Sequence, residues 1–210
     1  MYIGGTIMKI YIIRHGETNW NIESRWQGQK DIPLNKTGEI QAKLLGKRLK
    51  NVDINKIYSS PLSRAYKTAE IIASNVGIEI ITREGLAELN FGKWEGLTTY
   101  SIKKDYKELF EKWDKDPDAD LKNEVGIESR AALRNRAILE FEQLCQLESQ
   151  DFAIITHGAW IRTFICNTLG ISSDRRLAFN ISNTSISTLK YSKKTGLKVI
   201  NLNDTSHLEG

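Results

Sequence analysis

A chain of 210 residues, 40% hydrophobic and 27% charged, can bury a sizeable core without disulfide or metal staples and fits one α/β domain spanning residues 1–210. Its net charge of +4 comes from basic residues interleaved with acidic ones, which lends no support to a nucleic-acid partner. No apolar run approaches membrane-spanning length, so no membrane segment is expected.

At the start, Met1 to Ile7 lacks a basic n-region and is too short for a signal peptide; with Met8 as an alternative start, residues 1–7 read as a dispensable leader. Ile10 to Ile13 is an apolar, β-branched run that ends in Arg14-His15-Gly16, the pattern of a buried strand followed by a sharp turn. Asn19 to Pro33 has no sustained period and reads as a loop carrying Trp20, Asn21, Arg25, Trp26, Gln27 and Gly28. A helix is expected from about Asn35 to Lys50, with Ile40, Leu44, Leu45 and Leu49 on its inner face.

Lys56 to Ser59 reads as a short strand, and Ser60-Pro61 as an N-cap with proline at the first helical position. That helix should run to Val76 and stop at Gly77, with a strand from Ile78 to Thr82 beyond it. Arg83 to Gly96 is a loop holding Glu88, Phe91, Gly92, Trp94 and Glu95. Thr98 or Thr99 can cap a helix reaching Trp113, and Asp114 to Gly126, acidic and containing Pro117, reads as an exposed connection; together, about residues 98–126, they form an insertion.

Glu128 to Leu147 is amphipathic, with Leu133, Ala137, Phe141 and Leu144 along one side. Phe152 to Thr156 repeats the first design, a strand closed by His157-Gly158, and a helix follows to Leu169 and Gly170. Ser185 to Tyr191 and Leu197 to Leu202 make a hairpin around Lys194-Thr-Gly196, and Asn203 to Gly210 is expected to be a frayed or non-native tail. Strands alternating with helices imply a three-layer α/β/α fold around a mostly parallel sheet. Cys145 and Cys166 read as buried free thiols, which suits a reducing compartment and makes cytoplasm the default.

Two of the three histidines thus close strands immediately before a glycine, at the sheet end where α/β folds place ligands. Neutral imidazole is a nucleophile and a proton carrier near neutrality. Arg14 beside His15 offers a planar fork of donors matched to phosphate, and Arg64, in Ser59-Ser-Pro-Leu-Ser-Arg64, sits in the first turn of a helix, where anions are favoured. A metal held by His15, Glu17, Glu88 and His157 is the competing reading. It is disfavoured because each arginine would repel it by about 4 kcal/mol per unit charge pair at 4 Å and an effective dielectric of 20. No His-Glu-x-x-His helix or zinc-spaced cysteine pair is present, so no metal and no cofactor is expected. Phosphoryl transfer also needs a proton for the leaving oxygen. Glu88 is the best candidate, because phosphate and apolar walls around it would favour the neutral acid.

The sequence Arg14-His-Gly-Glu-Thr-Asn-Trp-Asn21 resembles the signature of the histidine phosphatase superfamily, also called phosphoglycerate mutase-like. The other blocks occur in order: Gln27-Gly28 with Asp31-x-Pro-Leu34, Ser59-Ser-Pro-Leu-Ser-Arg-Ala65, Glu88 with Gly92-x-Trp-Glu-Gly96, and Thr156-His-Gly158. The resemblance implies that His15 becomes a phosphohistidine, that Arg14, Arg64 and His157 hold the phosphoryl group, that Asn21, Gln27, Gly28 and Gly158 line the same site, and that Glu88 donates the proton. One departure is that Gly126-Ile-Glu-Ser129 carries an extra residue relative to the Gly-Glu-Ser of many members.

Gln27, the compact Asn90–Gly96 loop and the lack of paired arginines before Trp113 resemble the phosphatase branch rather than the mutases. The expected reaction is hydrolysis of a small phosphorylated metabolite, such as a sugar phosphate or α-ribazole phosphate, with specificity set around Tyr100 to Trp113. Mutase-type transfer is the alternative. A non-catalytic phosphate-binding module is a second, against which the pairing of His15 with Glu88 argues. The sequence carries no signal of oligomeric state.

Overall fold

The computed structural model describes residues 7–116 and 119–209. Six strands form one sheet in the order β3-β2-β4-β1-β5-β6. They are β1 (Met8–Arg14), β2 (Lys56–Ser59), β3 (Ile80–Thr82), β4 (Phe152–Thr156), β5 (Ile186–Ser192) and β6 (Gly196–Asp204). β3, β2, β4 and β1 run parallel, and the β5–β6 hairpin adds two antiparallel strands at the β1 edge. The expected three-layer architecture is therefore the observed one.

Strand period 2 divides the side chains between two cores. Ile10, Ile12, Tyr58, Phe152 and Ile154 face one core, with α7 (Arg130–Leu147) and α8 (Gly158–Thr168). Tyr11, Ile13, Ile57, Ala153 and Ile155 face the other, against α2 (Lys36–Leu49) and α3 (Ser63–Val76). Because both faces are covered, β1 and β4 read as continuous apolar runs rather than as alternating ones. The register pairs Arg14 with Thr156 in adjacent parallel strands, so His15 and His157 emerge side by side. Backbone bonding continues past the strand ends, His15 N–H to Thr156 O at 2.9 Å and Ser60 N–H to Ile155 O at 3.0 Å.

Several local expectations are corrected. The loop after β1 begins with one helical turn, α1 (Asn19–Ile22), closed by a Thr18–Asn21 capping box. In α2 the inner face is Ala42, Leu45 and Leu49, while Ile40 is 57% exposed. α3 starts at Ser63 after Leu62, not at Ser60-Pro61, and the Ser60 hydroxyl lies 2.8 Å from His157 Nε2.

The segment from Thr98 to Trp113 is two helices, α4 (Thr99–Asp105) and α5 (Lys107–Lys115), broken at Tyr106 (φ −133°, ψ 36°). Asp114–Gly126 is not an exposed connection: Ala119, Leu121 and Val125 are buried, and α6 (Lys122–Val125) forms within it. Its charges had hidden an alternating apolar set. Pro117 lies outside the described residues, as do residues 1–6 of the expected leader. Nor is the tail frayed. Asp204 pairs with Arg48, Ser206 Oγ accepts from Arg48 Nη1 at 2.8 Å, and His207 Nε2 lies 3.2 Å from Thr184 Oγ1.

The turn after His15 is pressed onto the start of α2. A Cβ on Gly16 would lie 2.6 Å from Gly38 O, and one on Gly38 would lie 2.2 Å from Glu17 O. Alanine is the better helix former by about 1 kcal/mol, yet this overlap should dominate. Gly38→Ala is expected to lower stability by about 1–3 kcal/mol in urea unfolding, the usual cost of overpacking. A variant as stable as the parent would show that this contact is soft.

Candidate active site

At the carboxyl ends of β1, β2 and β4 lies a cavity of about 540 Å³. Arg14, His15, Asn21, Gln27, Gly28, Arg64, Glu88 and Gly158 all line it. His157 stands behind, its ring 5.1 Å from that of His15 and tilted by 57°. Glu17 points elsewhere: its Oε1 accepts from Asn35 Nδ2 at 2.9 Å, at the start of α2. Among the described residues no three His, Cys, Asp or Glu side chains converge on a shared point.

His15 is 3% exposed, and its Nδ1 lies 2.7 Å from Gly16 O. A carbonyl oxygen can only accept, so Nδ1 carries the proton and the neutral ring keeps its lone pair on Nε2. Burial, then the charges of Arg64 and Arg14, hold the His15 pKa well below the ordinary 6.5. Burial and Arg64 do the same for His157. Ser60 Oγ accepts from Leu62 N–H at 3.3 Å and lies 2.8 Å from His157 Nε2. His157 Nδ1 is buried with no partner.

The two arginines are held by their outer nitrogens. Arg14 Nη1 donates to Ile181 O at 2.6 Å; Arg64 Nη1 and Nη2 donate to Lys30 O at 2.8 Å and Gly28 O at 2.7 Å. Their Nε–H groups are buried and unpartnered, as is Gln27 Oε1. Burial lowers both guanidinium pKa values to about 10, which still leaves them charged at neutral pH. Asn21 turns Oδ1 toward Thr18 N–H at 3.1 Å, which frees its amide nitrogen for the cavity. Buried donors of this kind suit an anion with several acceptor oxygens.

Gly28 adopts φ +57°, and a Cβ there would fall 2.0 Å from Glu95 Oε1. Glu95 Oε1 in turn accepts from Gln29 N–H at 2.8 Å and Phe91 N–H at 3.1 Å, joining the Gln27-Gly28 turn to the Gly92–Gly96 loop. The Glu88 loop is clamped from α7. Arg136 donates to Gly85 O, Ala87 O and Glu88 O and pairs with Glu128 at 2.8 Å. The surroundings of the Glu88 carboxyl are not the apolar walls expected. Its oxygens accept from the backbone N–H groups of Leu89 (2.9 Å), Trp160 and Ala159 (3.1 Å each), at the N-terminus of α8.

The outer wall of the cavity takes Lys103, Phe110 and Trp113 from the segment expected to set specificity, and adds Trp26, Phe91 and Arg162, to which the sequence assigns no task, with Arg25, Arg130, Arg176 and Leu177 near them. Trp26 packs on Phe91 at 4.6 Å and on Trp113 at 5.3 Å. These aromatics come from three distant segments and carry no joint signal. Arg162 did carry one, since it follows Gly158 by four residues and so shares its helix face.

The sequence profile of the histidine phosphatase superfamily (branch 1) matches residues 10–205. This chain belongs to that superfamily. Phosphoserine phosphatase 1 of Hydrogenobacter thermophilus is 32% identical over 204 residues, 96% of this chain and 95% of its own length. A histidine phosphatase relative from Photorhabdus laumondii that carries a phosphoglycerate mutase name is also 32% identical, over 97% of this chain and 96% of its own. The crystal structure of a phosphoserine phosphatase from Entamoeba histolytica with phosphoserine superposes with a TM-score of 0.83 at 32% identity, covering 96% of this chain and 99% of that one. This histidine phosphatase is an enzyme, a phosphomonoester hydrolase, and the mutase alternative is the less favoured.

The positive charge of Arg64 helps to hold the His15 pKa down, so Arg64→Gln should raise it toward 6.5. Ring-nitrogen NMR of the free enzyme should show His15 as the Nδ1–H tautomer, still neutral at its ordinary pKa of 6.5, and protonating at higher pH in the variant. An unchanged titration would mean that burial and Arg14, without Arg64, keep the ring neutral.

Proposed function

We propose that this chain hydrolyses small phosphomonoesters in two steps through a phosphohistidine on His15. In the first, His15 Nε2 attacks phosphorus, the bond to the leaving oxygen breaks, and Glu88 gives that oxygen its proton, releasing an alcohol. In the second, water attacks phosphorus, Glu88 takes the proton, the P–N bond breaks and inorganic phosphate leaves. Arg14, Arg64 and His157 stabilise the equatorial oxygens in both, with Asn21, Gln27, Gly28 and Gly158 shaping the cradle. The observation that carries this reading is the Nδ1–H bond of His15 to Gly16 O, which leaves Nε2 as the free lone pair between two buried guanidiniums.

The relatives named for phosphoserine hydrolysis support a small phosphorylated acid as substrate. The chain works as one catalytic domain, with Thr99, Lys103, Phe110, Trp113 and Asp114 supplying part of the outer wall around the leaving group. Cytoplasm is the proposed compartment. Cys145 and Cys166 are buried free thiols, the former pushed up to about 12 by burial, and among the described residues no helix is long and apolar enough to cross a membrane.

A general acid matters most when the leaving oxygen is a poor one. Glu88→Gln should slow alkyl phosphates by roughly 10²–10⁴-fold and nitrophenyl phosphate far less, once burst kinetics show that phosphorylation limits the rate. Equal losses on both ester classes would remove Glu88 as proton donor. Transfer between positions of 3-phosphoglycerate at a rate above phosphate release would favour the mutase reading.

A further inference from the structure

Hydrolysis as proposed leaves the cations of the outer wall, Arg25, Lys103, Arg130, Arg162 and Arg176, without a task. Arg162 lines the cavity one turn into α8, and its Nε is buried with no hydrogen-bond partner. Arg136, Arg83 and Arg48 each pair with a carboxylate, whereas no ion pair among the described residues includes Arg162.

Its neighbours define what it faces. A Cβ built on Gly158 would lie 3.2 Å from Arg162 Nη1 and 3.5 Å from Arg14 Nε, so two guanidiniums converge on that glycine. Like charges brought this close in a buried site call for an anion between or beside them. The strongest acidic influence on Arg162 is that of Glu88, whose oxygens are already taken by three backbone N–H groups, two of them from Ala159 and Trp160 beside Gly158. Arg162 thus stands beside the proposed proton donor, which is the side where the leaving group must lie. Space exists there for one: 540 Å³ falls in the roughly 300–1,000 Å³ range of sites for whole small molecules. Trp26, Phe91, Phe110 and Trp113 wall it, and none of them answers a charge.

We propose that Arg162 is a specificity-determining residue that binds an anionic substituent, a carboxylate or second phosphate, on the leaving group. The preferred substrate is then a phosphorylated acid rather than a neutral phosphate ester. The proposal rests on the hydrolase reading and deepens it. Arg162 makes no bond to the phosphoryl oxygens; it selects which ester is seated for attack.

Three esters of one chain length test it: propyl phosphate, 3-phosphooxypropanoate and propane-1,3-diyl bisphosphate. The wild-type enzyme should prefer the charged esters in kcat/KM, and the larger preference identifies the group recognised. In Arg162→Gln the ratio of charged to neutral kcat/KM should fall by about 10- to 100-fold, the worth of a hydrogen bond to a charged group. Arg162→Lys, which keeps the charge and loses the fork, should retain part of the preference and guards against a folding artefact. An equal fall for all three esters would place Arg162 in the phosphoryl cradle and overturn the proposal, as would a wild-type enzyme indifferent to the second charge. A shifted pH profile with the ratio intact would make Arg162 a positioning residue for Glu88, and overturn it too. Release of phosphate from neither these esters nor nitrophenyl phosphate would defeat the hydrolase reading itself, and this proposal with it.

Discussion

One hydrogen bond sets the chemistry of this site: the Nδ1–H of His15 to the carbonyl of its own neighbour, Gly16, at 2.7 Å. It fixes the tautomer, and it does so where water cannot compete, since His15 is 3% exposed and His157 fully buried. The bond requires the chain to turn back directly after β1. That turn is possible because Gly16 and Gly38 bring two backbones closer than any Cβ would allow. Asn183 Nδ2 adds a second restraint by donating to His15 O at 2.9 Å. The proposed nucleophile is therefore aimed by backbone packing rather than by a partner carboxylate.

The cations around it follow the same logic. Arg14 and Arg64 are anchored to carbonyl oxygens along one edge of each guanidinium, which holds the rest of each fork in place before substrate arrives. Donors fixed in advance do not need to reorganise as charge develops on the phosphoryl oxygens. Electrostatics then couple the groups, because each arginine that favours the phosphate also disfavours protonation of His15. One arrangement thus suits an anion and keeps the proposed nucleophile neutral. Glu88 is positioned from the opposite side by Arg136, which holds three carbonyls of its loop, those of Gly85, Ala87 and Glu88.

Much of this was legible in the sequence. The strands announced themselves because both sheet faces are buried, and two strand ends closed by His-Gly placed the catalytic candidates at one edge of the sheet. What failed did so for local reasons. Ile40 was assigned inward by periodicity, but the glycines of α2 let that helix pack on its small-residue face, with Gly38, Ala42 and Gly46 buried. Ser60 looked like a helix cap because its hydroxyl is one in most contexts; here it serves His157. The acidic segment before α7 hid buried Leu121 and Val125 among exposed charges, and the tail was held by an ion pair to Arg48 that no local pattern foretells. The aromatic wall was legible only in the segment ending at Trp113, since Trp26 and Phe91 meet it only in three dimensions.

The account stands or falls on a covalent intermediate at one nitrogen. Enzyme mixed with a phosphomonoester and quenched within one turnover should carry a single acid-labile phosphate, and peptide mass spectrometry should place it on His15. Phosphorus NMR of the denatured adduct should show the Nε2 isomer, because Nδ1 is committed to Gly16 O. Phosphate on His157, on Nδ1 of His15, or on no residue under conditions of full turnover would contradict it.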